Sequence, residues 1–332
     1  MSNRATRQQR RTERQRKKSG PAFSPTVLAA IAGGAAILIV AALLMFWPGG
    51  DAEASFEPVE SIEYEYSPNH LHGIGYDPDN DRIYLASHFG LFAREGDQLF
   101  QVGDERSDLM GFSMNPEDPT EIFVSGHPQG GGNLGLLHST DEGLTYEQIF
   151  SGVADEVVDF HAMTISAADP DYFYGAFMGQ IYRSQNRGHD FVAFEPEGLD
   201  SSGLCWGVPC LAASSDDPET VFAGTQQGLL ISIDGGESWE ILNSELGQVA
   251  AVAAHPSNPD RLVAYTEAMG LAVSEDRGQT WESRQGDMPV TEGGFVFAIA
   301  LNPDDDDRMF AATMNNEVFE TTDGGETWHR IV

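Results

Sequence analysis

One eight-residue pattern constrains this chain more than any other feature of it. Thr321-Thr322-Asp323-Gly324-Gly325-Glu326-Thr327-Trp328, near the C-terminus, has the form S/T-x-D-x-G-x-S/T-W, which also occurs at Ser274 to Trp281 and Ser232 to Trp239. Ser139 to Tyr146 carries it with Tyr in the Trp position, and Ser184 to Phe191 is a weaker copy with Asn186 for Asp and Asp190 for Thr. Successive copies start 45, 48, 42 and 47 residues apart. That is the period of one four-stranded propeller blade.

The pattern has the chemistry of a tight hairpin. Asp at the third position can accept from the backbone ahead of it, Gly at the fifth tolerates positive φ, and the aromatic is placed to pack between neighbouring sheets. It resembles the Asp-box (BNR) repeat of the sialidase-like and sortilin-like β-propellers. The resemblance implies that Asp141, Asp234, Asp276 and Asp323 are structural and lie on the face away from any active site.

Between the boxes, each repeat reads as an inner strand, a turn rich in Asp, Asn and Pro, a second strand, a Gly-containing loop and a third strand. The first repeat shows it as LHGIGY, DPDND, RIYLAS, GLFAR and QLFQV, with a degenerate box at Glu95-Gly96-Asp97. Six such units fit between Tyr66 and Val332. The expected fold class is therefore all-β, a six-bladed β-propeller over residues 62–332, preceded by one transmembrane helix. Residues 48–61 read as a linker, and Ile62 to Tyr66 as a strand that could close the ring by pairing with the last blade.

The first twenty residues hold eight basic side chains and one acid, Glu13, without apolar periodicity. Residues 1–26 read as a basic cytoplasmic tail. Val27 to Trp47 is a run of 21 residues without a charge, long enough to span a bilayer of about 30 Å. The basic flank places its N-terminal end inside, which puts the propeller outside the cytoplasmic membrane. A cleaved signal peptide is the competing reading, because Ala52-Glu53-Ala54 has the look of a cleavage site.

Beyond the tail the chain carries ten basic residues, all Arg, against 51 acids. A net charge of −41 excludes nucleic acid and anionic membrane surfaces as partners of the outer domain. It suits either a habitat of high salt or simple solubility after export, and a monomer is expected. Cys205 and Cys210 read first as a disulfide outside the cytoplasm and second as a thiolate pair for a metal.

Aligned on their turns, the repeats begin their inner strands at His72, Met110, His161, Pro209, Ala250 and Phe297, and close their second strands at His88, His127, Met178, Gln226, Glu267 and Met314. In a propeller these positions share one rim near the axis. Four of nine histidines fall there, in the first three blades, with His70 just before His72. Neutral imidazoles gathered without Lys or Arg suit a transition metal, copper or zinc, and Met110, Met163 and Met178 would add soft ligands. Taken singly, each His reads rather as a loop cap or a partner of backbone groups; it is their convergence that brings in the metal. The expected ligands are His70, His72, His88, His127, His161 and Met110, with Asp108 or Asp159 orienting ring nitrogens. His70 and His72 could not both serve from an ideal strand, where alternate side chains lie some 7 Å apart.

With these residues in view the resemblance narrows. NHLHGIGY, LASHFGLF, MGF, SGHP and DFHAM look like a family of exported bacterial Asp-box propellers commonly labelled glycosyl-hydrolase-like for their fold. Resemblance of fold does not carry catalysis with it. The arginine triad by which sialidases bind their substrate's carboxylate is not found, since only Arg106 falls in a connection on the functional rim. A different glycosidase would need two carboxylates flanking the bond, for which Asp108, Asp159 and Glu267 are the candidates. A rim that binds a protein or carbohydrate ligand, as in an assembly module, is the third reading.

Overall fold

The turn-separated apolar runs pair with their sequence neighbours, each strand antiparallel to the next, and the product is six sheets. The computed structural model describes residues 55–62, 70–153, 156–199, 211–290 and 294–332. The basic tail, the apolar run 27–47 and the Cys205 and Cys210 pair lie outside those residues. Among the described residues the structure is all-β, and no helix is long and apolar enough to cross a membrane.

Blade one is built from Leu71–Asp77, Arg82–Ser87, Gly90–Glu95 and Gln98–Val102, and blade two from Asp108–Met114, Ile122–His127, Leu136–Ser139 and Glu147–Phe150. Blade three runs Ala162–Ile165, Phe173–Phe177, Gln180–Ser184 and Val192–Phe194, and blade four Leu211–Ala213, Val221–Thr225, Gly228–Ser232 and Glu240–Asn243. Blade five is Val249–Ala254, Leu262–Thr266, Gly270–Ser274 and Glu282–Ser283, and blade six Val296–Leu301, Met309–Thr313, Val318–Thr321 and His329–Arg330. The six-bladed β-propeller expected from the repeat period is the observed fold.

The second strands are buried along nearly their whole length, as in Val221–Thr225, because both faces of each sheet are covered by neighbouring blades. The hydrophobic core accordingly divides into six clusters, one at each junction between blades. The box aromatic is what seals each junction. Tyr146, Phe191, Trp239, Trp281 and Trp328 all pack in the cluster shared with the preceding blade.

The junction of blade six with blade one has no box aromatic, since the box of blade one is degenerate. There Phe297 and Phe310 are fully buried, and Ile62, Val59, Ile331 and Val332 fill in around them. Burying each of those two Phe side chains contributes about 2–3 kcal/mol of transfer free energy. Both ends of the domain thus converge on the seam. The hydrogen bond from Leu71 N to Asn316 Oδ1, 3.1 Å, crosses it.

Two sequence expectations need correction here. Phe56–Val59 lies inside the stretch read as linker, yet it is a strand paired antiparallel to Gln98–Val102, a fifth strand on the outer edge of blade one. Ile62 is not in a strand but a plug in the seam, and residues 63–66 lie outside the described residues. Blade six owns its fourth strand, His329–Arg330, so the described ring closes by packing of faces and not by a borrowed strand.

Candidate metal centre

The rim is set by where the inner strands begin. In blades one, two, five and six the pairing of inner and second strand is irregular at that point, between Leu71 and Gly73, Asp108 and Gly111, Val249 and Ala251, and Val296 and Ala298. A bulge inserts a residue and re-aims its side chain. His72, Met110, Ala250 and Phe297, which the repeat alignment puts at equivalent positions, all fall within these irregularities. The Asp boxes sit at the opposite ends of the strands: Ser139 opposes Ile122 at the start of the second strand, whereas Asp108 opposes His127 at its end.

The rim histidines gather as two triads, each around one carboxylate. His72 and His88 of blade one meet Asp108 of blade two, with His72 Nε2 to Asp108 Oδ1 at 3.3 Å and His88 Nδ1 to Asp108 Oδ2 at 2.8 Å. His127 of blade two and His161, just before blade three, meet Asp159 through the same oxygen, Oδ2, at 3.1 and 2.6 Å. Within each triad the potential ligand atoms lie within 4.8 Å of one another. The rings of His72 and His88 stand edge to face at 4.5 Å, those of His127 and His161 at 5.7 Å.

Three buried atoms at this rim lack a hydrogen-bond partner: His72 Nε2, Asp108 Oδ1 and Asp159 Oδ1. The 3.3 Å contact between the first two is close but not aligned as a hydrogen bond. The tautomer of His127 points the same way. Its Nδ1 donates to Gly132 O at 3.1 Å, so the neutral ring turns the Nε2 lone pair toward Asp159 Oδ2. Two lone pairs facing each other at that distance call for a cation between them, a proton or a metal ion.

Burial pushes the His72 ring below the usual histidine range, outweighing the lift it receives from Asp108. Burial alone would raise the Asp108 carboxyl, but His72 and His88 more than offset that and hold it below the ordinary carboxylate range. Both shifts run toward a neutral ring and an ionised carboxylate, the protonation states that metal ligation requires.

The six expected ligands are not brought to one point. His70 precedes the inner strand and belongs to neither triad; its carbonyl accepts from His88 N at 3.1 Å and its ring lies 5.3 Å from that of His88. Met110 is half-buried within the irregularity of blade two. Met163 packs in the core between blades two and three, and Met178 is 74% exposed. Asp108 and Asp159, expected as orienting or catalytic groups, are the centres of the triads. Glu267 is exposed in blade five, its Oε2 accepting from Gln248 N at 3.3 Å, and is in neither triad.

Sequence reading missed the glycines that let the blades close on the rim. A Cβ on Gly111 would lie 1.9 Å from Phe160 O, and one on Gly126 would lie 1.9 Å from Asp108 O. On Gly73 it would lie 2.6 Å from Phe112 Cβ. It missed as well the loop after His127, where Gln129 Nε2 donates to Arg106 O and His88 O at 2.7 and 3.2 Å. The signal was present, since these glycines stand inside LHGIGY, MGF and SGHP.

The family model described as sortilin, neurotensin receptor 3, matches residues 227–332, which span the last three Asp boxes. That match covers less than half of the chain and falls within the β-propeller. A search of curated proteins finds no match. Among solved structures the propeller is similar to the GH74 xyloglucanase of Xanthomonas campestris, with a TM-score of 0.52 and 14% identity over 83% of this chain and 47% of that one. It is also similar to an ancestral GH74 enzyme, at 0.51 and 16% over 76% and 36%, and to the extracellular domain of a hybrid two-component system of B. thetaiotaomicron, at 0.51 and 14% over 83% and 34%. The chain spans about half or less of the length of each. At these identities the likeness is one of fold.

Proposed function

We propose that this propeller is a metal-binding domain whose two triads, His72 with His88 and Asp108, and His127 with Asp159 and His161, each take a divalent transition ion at the mouth of the channel. The observation that carries the reading is the set of buried atoms without a hydrogen bond, His72 Nε2, Asp108 Oδ1 and Asp159 Oδ1, in clusters of two imidazoles and a carboxylate. Leaving a buried polar atom unpaired costs about 1–3 kcal/mol, and a bound cation removes that cost. Two nitrogens and a carboxylate suit zinc or iron(II), with positions left open; the core location of Met163 and the solvent exposure of Met178 weigh against a copper site softened by those two sulfurs. The chain is further proposed to be held by residues 27–47 in the cytoplasmic membrane with the propeller outside.

A glycosidase built on Asp108 is less well supported. Such an enzyme needs one carboxyl protonated as the acid and a second one free to act as base or nucleophile, whereas Asp108 and Asp159 are each engaged by two imidazoles. The deciding experiment is metal analysis of the full chain purified without a histidine tag, beside the His72→Ala/His161→Ala double variant. The unmutated protein is expected to carry zinc or iron that the variant loses. If it holds no transition metal even after reconstitution, the reading fails.

A further inference from the structure

The two triads share a wall. Asp108 of the first and His127 of the second are register partners on adjacent strands of blade two, and such partners have Cα atoms about 4.5–5.5 Å apart. The approach is closer than ordinary side chains would permit. Asp108 O fills the space where Gly126 would carry a Cβ, at φ +149°, and Phe160 O fills the corresponding space at Gly111, which draws Asp159 and His161 onto blade two.

Resting on the metal-binding reading, we propose that the triads act as one two-metal centre, and that the pair captures a tetrahedral oxyanion of the phosphate class across its open coordination positions. Two divalent ions held by four neutral imidazoles and two carboxylates leave a local charge of about +2, and paired ions of this kind clamp an oxyanion between them. The rest of the domain has little positive charge to compete. Ten arginines stand against 51 acids beyond the tail, and Arg106, the arginine of this rim, is committed to the carbonyls of Gly103 and Glu105 at 2.8 and 2.9 Å. An anion is repelled by most of this surface and attracted at the loaded pair. The solvent side is open, for His127 and His161 are half-buried and not enclosed.

The test loads the full chain with Zn²⁺ or Co²⁺, counts the ions, and titrates it with inorganic phosphate by calorimetry. His88→Ala removes a ligand from the first triad and His127→Ala one from the second. The unmutated protein is expected to hold two ions, and either substitution to weaken phosphate binding by about tenfold or more, the scale of energetic coupling between sites. A second measurement needs no variant: the electron paramagnetic resonance of the dicobalt protein is expected to show spin coupling, its intensity falling below that of two isolated ions. Two uncoupled ions, or phosphate binding that survives loss of one triad, overturns the pair while leaving metal binding intact. Two ions with no phosphate binding overturns the oxyanion. Absence of any bound ion overturns the metal reading itself.

Discussion

At the scale of single residues the Asp box is a closed set of hydrogen bonds, repeated with little change. In the last copy Thr321 Oγ1 donates to Asp323 Oδ1 at 2.8 Å and accepts from Gly325 N at 3.0 Å, while Asp323 accepts from Thr327 N at 2.9 Å and from its hydroxyl at 2.6 Å. The hydroxyl of Thr327, then its amide, hold the Asp323 carboxyl down at about 2. Because the folded pKa is depressed, the ionised form stabilises the fold above the unfolded value. That stabilisation is lost as pH falls through the window from about 4 to about 2. Asn186 fills the same position in blade three, its Oδ1 accepting from Asp190 N at 2.9 Å, so an amide fits the geometry. Asp323→Asn is therefore expected to fold but to be less stable at neutral pH, with its deficit shrinking across that window. Urea unfolding of both proteins at pH 7, 4 and 2.5 measures this, and a deficit independent of pH would refute the charge argument.

At the scale of strands and blades, the sequence made the six blades legible and the site only in part. Strands such as Arg82–Ser87, Gln180–Ser184 and Gly228–Ser232 are bounded by turns that residue type announces. Phe56–Val59 was not legible, because its place depends on a free edge of blade one and no box marks it. The rim histidines could be sorted to one face by repeat alignment, yet their division into two triads depends on Asp108 and Asp159, two acids among 52. What selects them is how closely the backbones approach, a property of Gly111 and Gly126 rather than of any ligand. Gly111→Ala would press a Cβ onto Phe160 O and force blade three away from blade two, at a cost of about 1–3 kcal/mol. Metal affinity of the His127, Asp159 and His161 triad should weaken with it. Gly130→Ala, where a Cβ would meet nothing within 4 Å, is the control and should change neither. Equal melting temperatures and equal metal affinities for the two variants would show that the close approach is not needed.

At the scale of the whole propeller, the use of arginine acquires a reason. Six of the ten outer arginines each bridge a different junction: Arg82 reaches Glu142, Arg187 Glu121, Arg183 Asp234 O, Arg277 Asp216, Arg261 Asp306 O, and Arg308 Asp81. A planar fork with five donors can hold its own blade and the next at once, which a lysine cannot. In a domain whose acids repel one another, each such bridge also neutralises charge where sheets must meet. Arg308 matters most, since it sits at the seam that lacks a box aromatic. It donates to Asp81 Oδ1 at 2.7 Å and to Tyr76 Oη at 2.8 Å across the seam, pairs with Glu320 on its own blade, and lies 5.1 Å over the rings of both Tyr76 and Phe310. Arg308→Ala is expected to cost about 2 kcal/mol or more, the range for hydrogen bonds to charged groups. Arg284→Ala, which removes only an exposed pair with Glu282 inside blade five, should stay within about 0.5 kcal/mol. Amide exchange should separate the two further, rising along Leu71–Asp77 and Val296–Leu301 in the Arg308 variant and nowhere in the other. If both variants lose the same stability and leave the seam strands equally protected, the ring is held shut by its apolar faces alone.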